Sequence, residues 1–195
     1  LMATLVIVFL ADLILKGEKK HTILSVLTGV LLLAQIAVCF VSEPASAFAG
    51  LYVSTAAAQV MKVILTAGAF IVVVMAQSWI ERADVMRKEG EFYELIISTL
   101  LGMYMMISSG HFLMFFLGLE MASVPMACLV AFDKFKQNSA EGAAKFILTA
   151  TFSSGVMLYG ISFIYGACGT LYFDDVADKI SATPLAIMGL VFFFS

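Results

Sequence analysis

Charge is what this chain has least of. Only 13% of its 195 residues are Asp, Glu, Lys or Arg, while 62% are hydrophobic. A soluble domain of this length carries about 25% charged residues to cover its surface, so a water-soluble globular protein is excluded and a lipid-embedded one is expected. The net charge of −3 gives no basic field for a nucleic-acid partner. Cysteine is scarce as well. Cys39, Cys128 and Cys168 are far apart, form no C-x-x-C pair and have no pairing histidine. They read as small apolar packing residues rather than metal or redox groups. No Walker A run, dinucleotide fingerprint, cysteine-rich iron cluster or paired-histidine haem site is present. We therefore expect no cofactor, no metal and no redox centre in this chain.

What is present is a series of apolar runs separated by charged or turn-rich stretches. A helix needs about 20 residues to cross the hydrocarbon core, and the runs place spans at 1–15, 22–42, 59–79, 92–108, 111–131, 141–166 and 184–195. The fold class expected is all-α: a polytopic transmembrane helix bundle of about seven spans, the first and last incomplete. Those short end runs, an opening Leu1 in place of an initiator Met and an end inside "LVFFFS" read as a fragment of a longer chain; with no basic region or small-residue cleavage site, the opening does not read as a signal peptide.

Orientation follows from the cations in the loops. Lys16, Lys19 and Lys20 follow the first span, Arg82, Arg87 and Lys88 the third, and Lys134 and Lys136 the fifth. The alternate loops, 43–58, 109–110 and 167–183, carry only Lys179. The basic loops are expected in the cytoplasm, which puts the start of the chain outside.

Polar groups within the spans are then the candidates for function. Glu120 lies about 15 Å from either end of the fifth span at 1.5 Å per residue, too deep to reach water by itself. An ionised acid there costs about 2.5–3.5 kcal/mol on insertion scales, so such a residue faces a bundle interior or a wet cavity and marks a relay or ion path. The alternative is a protonated acid tying two helices together. Gly118, Ala122 and Ser123 are small enough to let another helix approach. Pro125 removes a backbone donor and is expected to kink the helix about one turn beyond Glu120; this can serve a water site or plain packing.

Lys145 begins the sixth span four residues after Glu141, so a surface i, i+4 pair, snorkelling and a relay role are all open. A direct Glu120–Lys145 salt bridge is not expected, since their depths differ by about 10 Å. Lys62 reads first as a snorkelling anchor at the outer start of the third span. Asp12 and Lys16 are spaced as an interfacial pair. His111 opens the fifth span as a boundary residue or a proton-exit group. Glu91 and Glu94 open the fourth, where anions complement the helix N-terminus. Met103, Met105 and Met106 read as flexible packing, and Ser153, Ser154, Gly155 and Gly160 as a close helix-packing face.

Three stretches, "GEFYELIISTLLGMYMMIS", "HFLMFFLGLEMASVPMACLVAF" and "SAEGAAKFILTATFSSGVMLYGISFIYGACGT", resemble in that order the subunit N family of bacterial proton-translocating NADH:quinone oxidoreductase, respiratory complex I. The likeness is specific over 90–170 and rests mainly on hydropathy over 1–80. It implies a fourteen-helix antiporter-like fold with two inverted five-helix repeats. Residues 1–195 would form one integral membrane domain, with 1–80 the N-terminal helices and 90–195 the start of the first inverted repeat. It also implies a hydrated central axis conducting protons, with Glu120 the key acid of the fifth helix, Lys145 the sixth-helix lysine and Glu91 the acid opening the fourth. The family's broken seventh helix and later lysines would follow Ser195. The resemblance places NADH, flavin, iron–sulfur clusters and quinone in partner subunits, and makes the lipid bilayer and the other membrane subunits of complex I the partners. The location implied is the bacterial inner membrane. The alternatives are a subunit of a multisubunit sodium/proton antiporter and a structural membrane anchor that moves no ions.

Overall fold

The computed structural model describes residues 1–15, 20–80, 88–133 and 136–195. Five of the loop cations counted above, Lys16, Lys19, Arg82, Arg87 and Lys134, lie outside the described residues.

Among the described residues there are eight helices, and all but α7 follow the apolar runs: α1 (Met2–Ile14), α2 (Lys20–Val41), α3 (Ala56–Ile80), α4 (Glu89–Ile107), α5 (Phe112–Val130), α6 (Gln137–Cys168), α7 (Phe173–Lys179) and α8 (Pro184–Phe193). Four are long and apolar enough to cross a membrane by length and composition: α2 from Thr22, α3, α5 and α6. At about 1.5 Å per residue, the 32 residues of α6 extend roughly 48 Å, so its ends pass beyond a hydrocarbon layer about 30 Å thick. It stops at Gly169, whose φ of 70° sends its N–H back to the Tyr165 carbonyl at 2.8 Å, a left-handed cap that glycine adopts without a Cβ penalty.

Two elements fall where only loops were expected. Residues Ala45–Ala47 (β1) and Tyr52–Ser54 (β2) form a short antiparallel hairpin, and α7 occupies part of 167–183. Both belong to one end of the bundle. The Val53 N–H donates to the Ser108 carbonyl at 2.7 Å, Gly110 to Leu51 at 2.8 Å, Phe112 to Leu171 at 3.0 Å and Phe173 to Gly110 at 3.1 Å. The three loops poor in cations are thus stitched together by backbone hydrogen bonds. At the opposite end the Asp12 carboxylate takes Lys20 as its ion-pair partner at 2.9 Å and lies against Gly90 at the start of α4. Any side chain at Gly90 would collide with that carboxylate.

Packing divides into two cores. One joins α1–α4 through Val8, Leu24, Leu32, Val73, Ile97 and Leu100; the other joins α5–α8 through Phe112, Met157, Ile161, Ile164 and Val176. Helix α4 is the hub of the first, touching α1, α2, α3 and α5. Its first turns carry Glu89, Glu91 and Glu94, and it buries more of its residues than α5 does. A helix surrounded by protein can carry polar groups that a lipid-facing helix cannot. Glycine sets both of the closest crossings. A Cβ at Gly102 would meet the Ala122 nitrogen at 2.5 Å, and one at Gly118 the Met106 nitrogen at 2.7 Å. Similarly, one at Gly160 would meet the Phe193 nitrogen at 2.5 Å. Gly118 and Gly160 therefore serve as the packing residues expected. Gly155 does not: open space surrounds it, because that face of α6 has no helix against it among the described residues.

Candidate functional site

Helix α5 runs through Pro125 from Phe112 to Val130 and uses two faces. Gly118 and Ala122 meet α4 backbone to backbone. Glu120, Ser123, Val124 and Ala127 turn instead toward Phe146, Ile147, Ala150 and Thr151 of α6. The half-buried Glu120 carboxylate is thus held in a seam between two helices, near the middle of α5 and roughly 12 Å from one end and 15 Å from the other. The seam encloses only about 10 Å³, room for about one water. Ser123 is not a free donor to the acid, because its hydroxyl donates to the Leu119 carbonyl at 2.7 Å. A neighbouring charge acts on a carboxylate in so narrow a seam with less screening than it would in open water.

Lys145 is not beside Glu120. Its ammonium pairs with Glu141 at 2.5 Å, and its side chain is 74% exposed. It lines an open groove on α6 with Thr149 and Ser153. Phe146 and Ala150 line both that groove and the Glu120 seam, so a single turn of α6 divides the two groups. The depth argument against a direct salt bridge agrees with this placement, and the i, i+4 pair is the contact that forms.

Lys62 is the largest departure from expectation. It does not snorkel: the residue is 5% exposed. Its ammonium donates to the Tyr52 hydroxyl at 3.0 Å and to Ser54 Oγ at 3.3 Å, both supplied by the hairpin. It also lies over the rings of Tyr52 and Tyr104, 5.1 and 5.7 Å from their centroids. Hydrogen bonds continue inward. Thr66 donates to the Lys62 carbonyl at 2.7 Å and lies 2.5 Å from the Tyr104 hydroxyl, which is itself 3.5 Å from Cys39 Sγ. The hairpin was invisible in the sequence as a strand pair, which is why an anchored interfacial lysine seemed the natural reading.

The other candidates sit at the two ends. Glu91 lines a cavity of about 570 Å³ with Lys88, Glu94, Ser98 and Cys128, at the Asp12–Lys20 end. Glu89, which the sequence reading passed over, is 2% exposed in the first turn of α4. Its neighbours in sequence are acids of the same type, so only burial distinguishes it. His111 caps α5: its Nδ1 accepts the Leu113 N–H at 3.2 Å, and its ring meets Tyr172 edge-on at 4.8 Å. Burial lowers its pKa from the ordinary value, since desolvation disfavours the charged ring. Asp12 pairs with Lys20; the expected Asp12–Lys16 pair lies outside the described residues. Among the described residues no cluster of His, Cys, Asp and Glu has the arrangement of a metal site.

Residues 109–195 match the family profile described as NADH:quinone oxidoreductase/Mrp antiporter, TM. The whole chain is 53% identical, over 195 residues, to NADH-quinone oxidoreductase subunit N of Phocaeicola vulgatus, and 42% identical over 197 residues to that of Azobacteroides pseudotrichonymphae. All of this chain and 41% of each relative are covered, so the chain spans about two fifths of their length. Among solved structures, a chain of respiratory complex I from Thermus thermophilus with bound aureothin superposes with a TM-score of 0.74 at 24% identity, over 98% of this chain and 42% of that one. A chain of the membrane-bound sulfane sulfur reductase, an archaeal respiratory membrane complex, does so at 0.73 and 20% identity, over 98% and 41%. At those identities the superpositions establish the antiporter-like fold alone.

Proposed function

We infer, from the match of residues 109–195 to the NADH:quinone oxidoreductase/Mrp antiporter profile and the 53% identity to a subunit N, that this chain forms part of a subunit N conducting protons across a bacterial membrane. NADH oxidation and quinone reduction take place in other subunits and drive the movement. NADH, flavin, iron–sulfur clusters and quinone belong to those partners, and this chain contributes neither a redox centre nor a cofactor site. Its neighbours are lipid and the other membrane subunits of the complex.

The observation that carries the reading is Glu120: a carboxylate near the centre of a spanning helix, half-buried in the α5–α6 seam. A merely structural anchor gains little from an acid at that depth. Protons reach this level from the end of the bundle where Lys88, Glu91 and Glu94 line the larger cavity. Lys145, one turn of α6 from the seam, is the adjacent charge that tunes Glu120. Moving Lys145 off Glu141 and toward Phe146 raises the positive potential at the carboxylate, which favours release of its proton. At about 10 Å and an effective dielectric near 20, such coupling is worth about 1–2 kcal/mol, enough to shift a proton population about tenfold. The basic end faces the cytoplasm, so the hairpin end faces outward, as does the chain's start; Lys62 and His111 then lie on the exit side.

The test is Glu120→Gln in the full-length subunit within the assembled complex. Gln keeps the shape and can hydrogen-bond, but cannot exchange a proton. Proton translocation per NADH oxidised in sealed vesicles should fall several-fold while the complex still assembles. Pumping at the parental ratio and rate would make Glu120 structural. Repeating the measurement with Lys145→Arg, which keeps the charge but hardly ever gives up a proton, separates a charge that tunes from a group that itself relays: parental pumping in that variant rules out proton transfer through Lys145.

A further inference from the structure

The Lys62 cavity lies on the exit side of the bundle but supplies no group to the proton path argued above, and its chemistry is of a different kind. Burying an ammonium costs several kcal/mol unless it is paired and hydrogen-bonded. Lys62 is 5% exposed, yet among the described residues no carboxylate lies within 4 Å of its Nζ. Two hairpin hydroxyls and two aromatic faces hold it instead. Two of its three N–H groups are used, leaving one.

The direction of those two bonds matters. Tyr52 and Ser54 both accept from Lys62, so each hydroxyl proton must point elsewhere. All three groups line one cavity of about 400 Å³ beneath the hairpin. A positive charge, one N–H beyond those two bonds and two hydroxyls whose protons are not spent on Lys62 therefore line the same space. The amide of Gln59, which now donates to the Ser42 carbonyl at 2.7 Å, stands on the same wall. We propose that the hairpin-covered Lys62 cavity is a binding site for a phosphate oxyanion. Convergent donors around a fixed cation are what such a group requires, and charge-assisted hydrogen bonds are the strong ones.

A phospholipid headgroup is the source the surroundings favour. The cavity lies at the hairpin end of α2 and α3, the level of a membrane surface; exposed Met2 lines it, and the same two helices expose Phe40, Val41, Val60 and Ile64. That is a position where acyl chains can lie against apolar side chains while the phosphate turns inward. Glu43, exposed on the cavity wall, is the one like charge an incoming phosphate meets. It sets the affinity by repulsion.

The experiment uses the full-length subunit in the purified complex. Phosphatidylcholine nanodiscs doped with phosphatidylglycerol measure headgroup affinity, and phosphorus NMR line-broadening of inorganic phosphate measures the free anion. Lys62→Gln should weaken binding about tenfold, the loss expected for one charge-assisted hydrogen bond, and Lys62→Arg should restore most of it. Glu43→Gln should tighten binding about threefold by removing the repulsion. Phosphate binding that depends on Lys62, with lipid binding that does not, would keep the oxyanion site and overturn the headgroup as its source. Lipid and phosphate binding both indifferent to Lys62 would overturn the site. If Lys62→Gln fails to assemble, Glu43→Gln decides alone: unchanged or weaker binding overturns the proposal, weaker binding with loss of stability marking Glu43 as the counter-ion of Lys62.

Discussion

The α1–α4 bundle and the α5–α8 bundle each bring one lysine into a spanning helix, and they treat it in opposite ways. Lys62 in α3 is enclosed by a hairpin, two tyrosine rings and two hydroxyls. Lys145 in α6 lies on an open face with a carboxylate one turn away. Among the described residues the first bundle is closed around a buried hub helix, whereas the second leaves much of α5 and α6 uncovered. Depth in the sequence of a span does not decide whether a cation is buried; the neighbouring loop does. The acid proposed to carry protons, Glu120, belongs to the second bundle, where a seam of about 10 Å³ lies beside the groove lined by Lys145, Thr149 and Ser153. That is the arrangement expected of a group that must exchange protons with something beyond it.

The seam between the bundles is the place to break this contrast most severely. Gly102→Leu would push a side chain into the α5 backbone, which a Cβ alone already meets at 2.5 Å. Overpacking with rigid backbone on the far side should cost about 3 kcal/mol or more and separate the halves, read as loss of assembled complex in the membrane. Next in size is Lys62→Ala, expected to cost about 2 kcal/mol from lost stem packing and two charged hydrogen bonds. A drop in the thermal midpoint of the purified complex measures it. Lys145→Ala sharpens the comparison, because its exposed pair with Glu141 should contribute only about 0.3–0.5 kcal/mol. Its midpoint should stay near the parental one. Equal shifts for the two lysines would abolish the distinction between the bundles.

The smallest effect is expected at His111. Burial holds its pKa below the ordinary 6.5, so protonation is easier in the unfolded chain than in the fold. Stability is therefore fully present above pH 6.5 and declines as the pH falls through that value toward the lowered one. Protonating Nδ1 also removes the acceptor that caps α5 at the Leu113 N–H. The midpoint measured between pH 8 and 5 should fall slightly more for the parent than for His111→Asn, which keeps a side-chain acceptor but has no charge to gain; parallel profiles would place the ring in a fully hydrated site.

Much of the fold was legible from one physical fact. The hydrocarbon core demands long apolar helices, so hydropathy runs and their charged interruptions mark the spans, and α2, α3, α5 and α6 lie close to where those runs put them. Glu120 was legible for the same reason, since an acid at mid-depth stands out against its background. Gly118 and Gly160 could be picked out because small residues at helical spacing permit close approach. What could not be read were relations between distant segments. The hairpin at 45–54 is short, its residues are mostly small, and its pairing with 108–110 is long-range, so neither the strands nor the enclosure of Lys62 has a local signature. The contact of Asp12 with Lys20 and with the start of α4 joins three helices, which no local pattern marks. The sequence by itself determined where the long apolar helices α2, α3, α5 and α6 run and which acid lies mid-span, because lipid imposes those terms residue by residue. Tertiary structure alone decided that Glu120 faces α6 rather than α4, that Lys62 is enclosed and that Lys145 is not. Those outcomes depend on which helix faces meet, and close backbone contact at a few glycines fixes them.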